Sequence, residues 1–309
     1  MRNNGAIVMG VGVAAWATAL SGVAVARGLQ PGASGVRDAQ VGSDGERETP
    51  IAKWGAAMRP EIEGIVGAKF AGEVPIRVIQ LDDLAQMVAA PIQKRMRDSK
   101  IKRPDGSEMG ETEIRVRSMA AAFKVAERTF GMYRYEDKTV YVVLENSARY
   151  AKRHGWSADT AERAPKLAVA HELVHALQDQ RTGLGERLRK ASGEEWGALT
   201  AVTEGQAVWA TDELAKKLDW PAANAVLWGV VTGVQTEDEP AGSEKMPKVK
   251  VPDGTPASEL YELGKRFVEV QMAYAGEGVK GNERVWAIVG RPPVTMAEVR
   301  EAEKFVMKP

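Results

Sequence analysis

The chain has 309 residues, 44% of them apolar, and its 42 basic side chains balance 42 acidic ones. That size suits one large domain or two small ones with a packed core, and the balanced charge offers no global field to nucleic acid or an anionic membrane. No cysteine is present. This excludes disulfides, thiolate zinc sites, iron–sulfur clusters and cysteine nucleophiles, and leaves His and carboxylates to hold any metal.

In chain order, residues 5–26 are uncharged, follow a short start containing Arg2, and end in Ala24-Val25-Ala26. This reads as a signal peptide cleaved before Arg27, the alternative being an uncleaved N-terminal membrane anchor. Either places the remainder outside the cytoplasm: periplasmic, secreted, or anchored to the outer face of the membrane. Residues 27–50 are polar and Gly-rich and read as a flexible linker. Globular patterning starts near Ile51, with a helix to about Lys69, a strand over Val74 to Leu81 and a helix from Asp82 to Met96. A charged loop over 97–113 and a helix around Ser118 to Arg128 follow. Two β-rich runs then flank Glu136-Asp137-Lys138, a hairpin signal. Beyond it the chain is mostly helical, interrupted by a polar loop from Gln235 to Pro256. The fold class expected is α+β, one domain over 51–309 with a small N-terminal sheet region and a mostly helical second half.

Only three histidines occur, and two of them, His171 and His175, sit four residues apart around Glu172. Pro165 suits a helix start and Gly183 its end, so the intervening stretch reads as one helix. Steps of about 100° per residue bring Ala168, His171, Glu172, His175, Gln178 and Asp179 onto one arc, with the aliphatic residues opposite. The polar arc is expected to face a cleft. Imidazoles at i and i+4 can both reach one ion, with Glu172 beside it as a general base. A chance HExxH is the bland alternative, and its presence on a helix with separated faces argues against it.

A catalytic zinc needs a third protein ligand and an open position. Gln178 and Arg181 stand where a metzincin has Gly and His, which excludes that arrangement. On the next long helix Glu194, Glu195 and Glu204 are candidates. Ser192 and Glu195 form a capping box, and Glu194 suits the helix N-terminus. Glu204 lies mid-helix among small and apolar residues, where a lone buried carboxylate would be costly, so Glu204 is favoured. Gly205 and Ala207 lack bulk and would let this helix approach the HExxH helix. Asp179 is a candidate partner for a ligand histidine or for an adjoining backbone group, His154 reads as a surface residue, and Thr295 with Glu298 forms another capping box.

HExxH completed by a glutamate on a later helix resembles the gluzincin-type zinc metallopeptidases. AHELVHALQDQ at 170–180 and VTEGQA at 202–207 are similar to a group of bacterial proteins assigned as metallopeptidases by HELxHALQDQ and a later EGxA. Tyr261, Gly264, Phe267 and Val268, and the stretch from Pro292 to Thr295 with Glu298 and Lys304, also fit that group. The resemblance implies a zincin-like fold, Zn²⁺ held by His171, His175 and Glu204, hydrolysis of a peptide or protein substrate by metal-activated water with Glu172 as base, and an oxyanion role for Tyr261. It also implies that the strand over 139–144 offers an edge to an extended peptide. Val208 stands where thermolysin-like enzymes carry an aspartate. That departure motivates the alternative of a non-catalytic zincin-fold binding or scaffold protein of the cell envelope.

Overall fold

Helix starts and stops in this chain follow local capping chemistry, and they differ from simple pattern boundaries where a neighbouring element intervenes. A computed structural model describes residues 49–98, 107–191, 193–232, 257–276 and 278–306. The leader, the linker up to 48, the 235–256 loop and the cap at Ser192 lie outside the described residues. Among those described, no helix is long and apolar enough to cross a membrane.

The chain is mostly helical with one small sheet. Helix α1 (Pro50–Val66) follows its cap Thr49, and strand β1 (Ile76–Val78) retains only the centre of the expected strand. Helices α2 (Leu81–Asp98) and α3 (Glu111–Ala126) come next, α3 starting seven residues before the expected Ser118. Strands β2 (Gly131–Arg134) and β3 (Thr139–Val142) form the expected hairpin. The remaining helices are α4 (Leu144–His154), α5 (Ala158–Thr182), α6 (Leu184–Lys190), α7 (Gly193–Lys217), α8 (Pro221–Thr232), α9 (Ala257–Ala275), α10 (Val279–Gly290) and α11 (Met296–Arg300). The capping box expected at Thr295 and Glu298 is present at the start of α11.

The strand order is β1-β3-β2, with β1 parallel and β2 antiparallel to β3. β3 is therefore the central strand, paired on both sides. The expectation that it offers an edge to a peptide is corrected: the edge of the hairpin belongs to β2. Alternation along the strands feeds two cores. Tyr133, Val140 and Val142 join the core built on α1, α5, α7, α9 and α10, whereas Met132, Tyr141 and Val143 pack with α2 and α3.

Helix α5 begins at Ala158, not near Pro165, because Ser157 caps it by accepting the Thr160 N–H at 3.1 Å. Pro165 then lies inside the helix and cannot bond to the carbonyl of Ala161. That carbonyl accepts instead from the Ser147 hydroxyl of α4 at 2.6 Å, so the missing N–H leaves no orphan. At the other end Gly183, at φ 63°, takes the left-handed conformation that closes the helix, as its position in the sequence indicates.

Candidate metal centre

Residues 167–179 of α5 are buried without interruption. The polar arc therefore does not line an open face; it meets other elements of the protein. α7, α8 and β2 all pack against this helix.

His171 and His175, one turn apart, meet Glu204 from the middle of α7. His171 Nε2 lies 3.1 Å from Glu204 Oε2 and 3.1 Å from His175 Nε2, and His175 Nε2 lies 3.3 Å from the same carboxylate oxygen. All three side chains are buried. Donors about 2.05 Å from one tetrahedral ion stand about 3.3 Å apart, so these three atoms are spaced as three corners around a single metal. Two imidazoles and one carboxylate, converging while buried, form a group able to hold a metal ion. Sequence reasoning placed all three. It gave a different reason for the fit at Gly205, which does not approach α5. A methyl group at Gly205 would fall 2.0 Å from the Gly264 carbonyl carbon on α9, and one at Gly264 would fall 1.8 Å from the Ala201 oxygen. The two glycines let the backbones of α7 and α9 touch, which presses α7 into place from behind.

The charges support one another. Burial works against an imidazolium at 175, but the Glu204 charge and hydrogen bond, with the Glu172 charge, outweigh it and bring the pKa up to about 9. Burial likewise opposes the Glu204 carboxylate, yet both imidazoles hold its pKa down to about 2. Glu204 stays ionised because it has partners that an apolar helix core would deny it.

Glu172 lies beside this group. Burial raises its pKa above the ordinary carboxylate range, against the pull of both imidazoles and a backbone hydrogen bond. That bond comes from the Tyr133 N–H of β2, which donates to Glu172 Oε2 at 2.7 Å. Gly131 makes the approach feasible, since a methyl group there would sit 3.1 Å from Glu172 Cγ. One carboxylate oxygen is thus fixed to the strand.

The supporting contacts are those the sequence could not place. His175 Nδ1 meets Gln178 Oε1 at 2.9 Å, and the Gln178 amide donates to Thr203 O and Gln206 Oε1, so Gln178 orients the His175 ring. Of the two partners expected for Asp179, a ligand histidine or an adjoining backbone group, it takes the second, accepting from the Gly185 N–H at 2.9 Å, and it also accepts from the Tyr133 hydroxyl at 3.0 Å and from Lys138 Nζ. It straps the hairpin to α5. His171 Nδ1 is buried with no hydrogen-bond partner among the described residues. Val208, buried on α7, cannot supply one. Its ring instead meets Trp228 of α8 edge to face, centroids 5.3 Å apart. Tyr261 is buried on α9 behind that indole, 6.2 Å from it. Tyr135, which the sequence did not single out, is also close: burial raises its phenol pKa, and the charges of Glu204, Asp179 and Glu172 add to the effect. Glu194 and Glu195 lie exposed at the start of α7. His154 is half-buried at the end of α4 and stacks on Tyr150.

No protein-family model, curated protein or solved structure matches this chain.

Proposed function

We propose that this protein is an exported zinc metallopeptidase of zincin-like fold, with Zn²⁺ held by His171, His175 and Glu204. The observation that carries the reading is Glu172, a buried carboxylate beside three convergent metal donors that is not itself among them. A bound zinc would polarise a scissile carbonyl and lower the pKa of water at neutral pH. The chain's own residues do the rest. Glu172, with Oε2 fixed by the Tyr133 N–H and a raised pKa, accepts a proton from the attacking water and returns it to the leaving amine. Gln178 holds the His175 ring in the orientation a ligand requires. β3 is paired on both sides, and the outer side of β2 is occupied by α5 and Glu172, so the peptide backbone is assigned to neither strand. The oxyanion role that the family resemblance offers Tyr261 is not needed for this scheme. Export rests on the uncharged run over 5–26 and its Ala24-Val25-Ala26 end.

A second reading, a non-catalytic envelope module that holds a metal, draws on Val208 and on the unpartnered His171 Nδ1. The two separate in one experiment on protein lacking residues 1–26. Zinc content near one per chain and cleavage within a broad peptide library are expected. Glu172→Gln should retain zinc and thermal stability while hydrolysis falls about 10²- to 10⁴-fold. Zinc binding without cleavage of any library peptide would favour the second reading, and cleavage undiminished in Glu172→Gln would remove Glu172 from the mechanism.

A further inference from the structure

The two histidines are held by different means. His175 is oriented through Nδ1 by Gln178, as ligand imidazoles usually are, whereas His171 Nδ1 has no such partner. A ligand imidazole must still be fixed about its own ring axis, because rotation carries Nε2 away from the ion. Two rings pack against His171 among the described residues: His175, with centroids 4.7 Å apart, and Trp228, at an interplanar angle of 67°, the only one of the two that is not itself a metal donor.

Trp228 is itself anchored. Its indole N–H donates to Asp212 Oδ1 at 3.0 Å, and the same oxygen accepts from Asn224 Nδ2 at 2.7 Å. The other oxygen of Asp212 pairs with Lys265 Nζ of α9 at 2.5 Å. Asp212 is buried on α7, two turns beyond Glu204, so one helix carries both the third ligand and the anchor of the aromatic wall. Asp212 thus holds the indole, and the indole packs edge to face against the histidine ring.

We infer that Trp228, fixed by Asp212, is the positioning residue for His171, replacing by ring packing the hydrogen bond that this ligand lacks. The inference rests on the metal reading given above. It assigns no proton transfer to Trp228 and predicts an effect on metal affinity that passes through a contact made only by the ring.

The test is zinc affinity, measured by competition with a chromophoric chelator, on full-length mature protein and its variants. Trp228→Leu should weaken zinc about 10- to 100-fold, the range for loss of a group that orients a ligand. Trp228→Phe retains an aromatic face and should recover most of that loss. Asp212→Ala should also weaken zinc although it touches neither ligand, and the double variant Asp212→Ala/Trp228→Leu should be no weaker than Trp228→Leu alone, since both act through one ring. Cobalt loading should quench more emission in wild type than in Trp228→Phe, because the missing indole is the one against a ligand. Additive losses in the double variant, or Trp228→Leu binding zinc like wild type, would overturn the inference. Should Asp212→Ala fail to fold, the comparison of Trp228→Leu with Trp228→Phe and the cobalt quenching still decide. Wild type that binds no zinc would defeat the metal reading itself, a different outcome from zinc-binding wild type with an indifferent Trp228.

Discussion

The two faces of the small sheet are built from opposite materials. On one side α2 and α3 pack Leu84, Val88, Ile92, Met96, Ala122 and Val125 against Met132 and Tyr141, and the only buried polar residue these two helices contribute is Ser118. On the other side α5 and α7 bury His171, Glu172, His175, Gln178, Asp179, Glu204 and Gln206 in the same interior as Leu173, Val202 and Phe267. The first face needs no explanation beyond apolar burial. The second gathers groups that are each unfavourable to desolvate and are tolerated only because they satisfy one another. A core assembled for stability alone would resemble the first. The contrast locates the group able to hold a metal before any mechanism is considered.

Four measurements would break or sharpen this contrast. The largest effect is expected at the ligands: His171→Ala or His175→Ala should abolish zinc binding, and Glu204→Gln should weaken it strongly, because a neutral amide is a poor ligand. Equilibrium dialysis that found full zinc occupancy in these variants would dissolve the distinction between the faces. Next comes Ile92→Ala on the apolar face, which should lower unfolding free energy by about 2–5 kcal/mol, read by urea titration, with zinc stoichiometry unchanged. A parallel loss of zinc would mean that the faces are not separable. Gly205→Ala should cost about 1–3 kcal/mol through overpacking at the α7–α9 crossing and, unlike Ile92→Ala, also weaken zinc, since Glu204 is its neighbour. The most gradual effect concerns pH. Against burial, the Glu204 and Glu172 charges bring the His175 pKa up to about 9, and the ring must be neutral to bind a metal, so zinc affinity should rise as pH increases toward 9 and level off above it. A flat profile between pH 7 and about 9 would show that His175 gives up no proton on binding.

Much of the second face was legible in the sequence because metal chemistry constrains spacing. His171 and His175 at i and i+4, and Glu204 stranded among small residues, could be identified from pattern alone. Gly183 ended α5, and Thr295 with Glu298 capped α11, because those signals are local. What failed was anything that depends on what covers a residue. Periodicity gave α5 a polar arc but could not say that α7, α8 and β2 would close over it. Pro165 looked like a helix start because the Ser147 hydroxyl that satisfies Ala161 is contributed by another helix. Asp179 and Gln178 were both on the correct arc, yet only tertiary placement made one a strap for the hairpin and the other the partner of His175. Trp228 could not be singled out, since an indole in a helix is ordinary until a buried histidine is seen to pack against it.

The anchoring of Glu172 to the Tyr133 N–H has a consequence for chain entropy. Glu172, its strand anchor Tyr133, both histidines and Glu204 all fall between Gly131 and Glu204, a stretch of hairpin and consecutive helices. The contacts that close the site span 33 residues from His171 to Glu204 and 39 from Tyr133 to Glu172. The β1–β3 pairing closes over the longer excursion of α2 and α3, but the entropy of closing a loop grows only with the logarithm of its length, so the difference is worth less than the ~0.6 kcal/mol of one doubling. None of the three metal donors nor Glu172 lies on β1, so the group depends on α5, α7 and the hairpin, with α9 pressing α7 from behind.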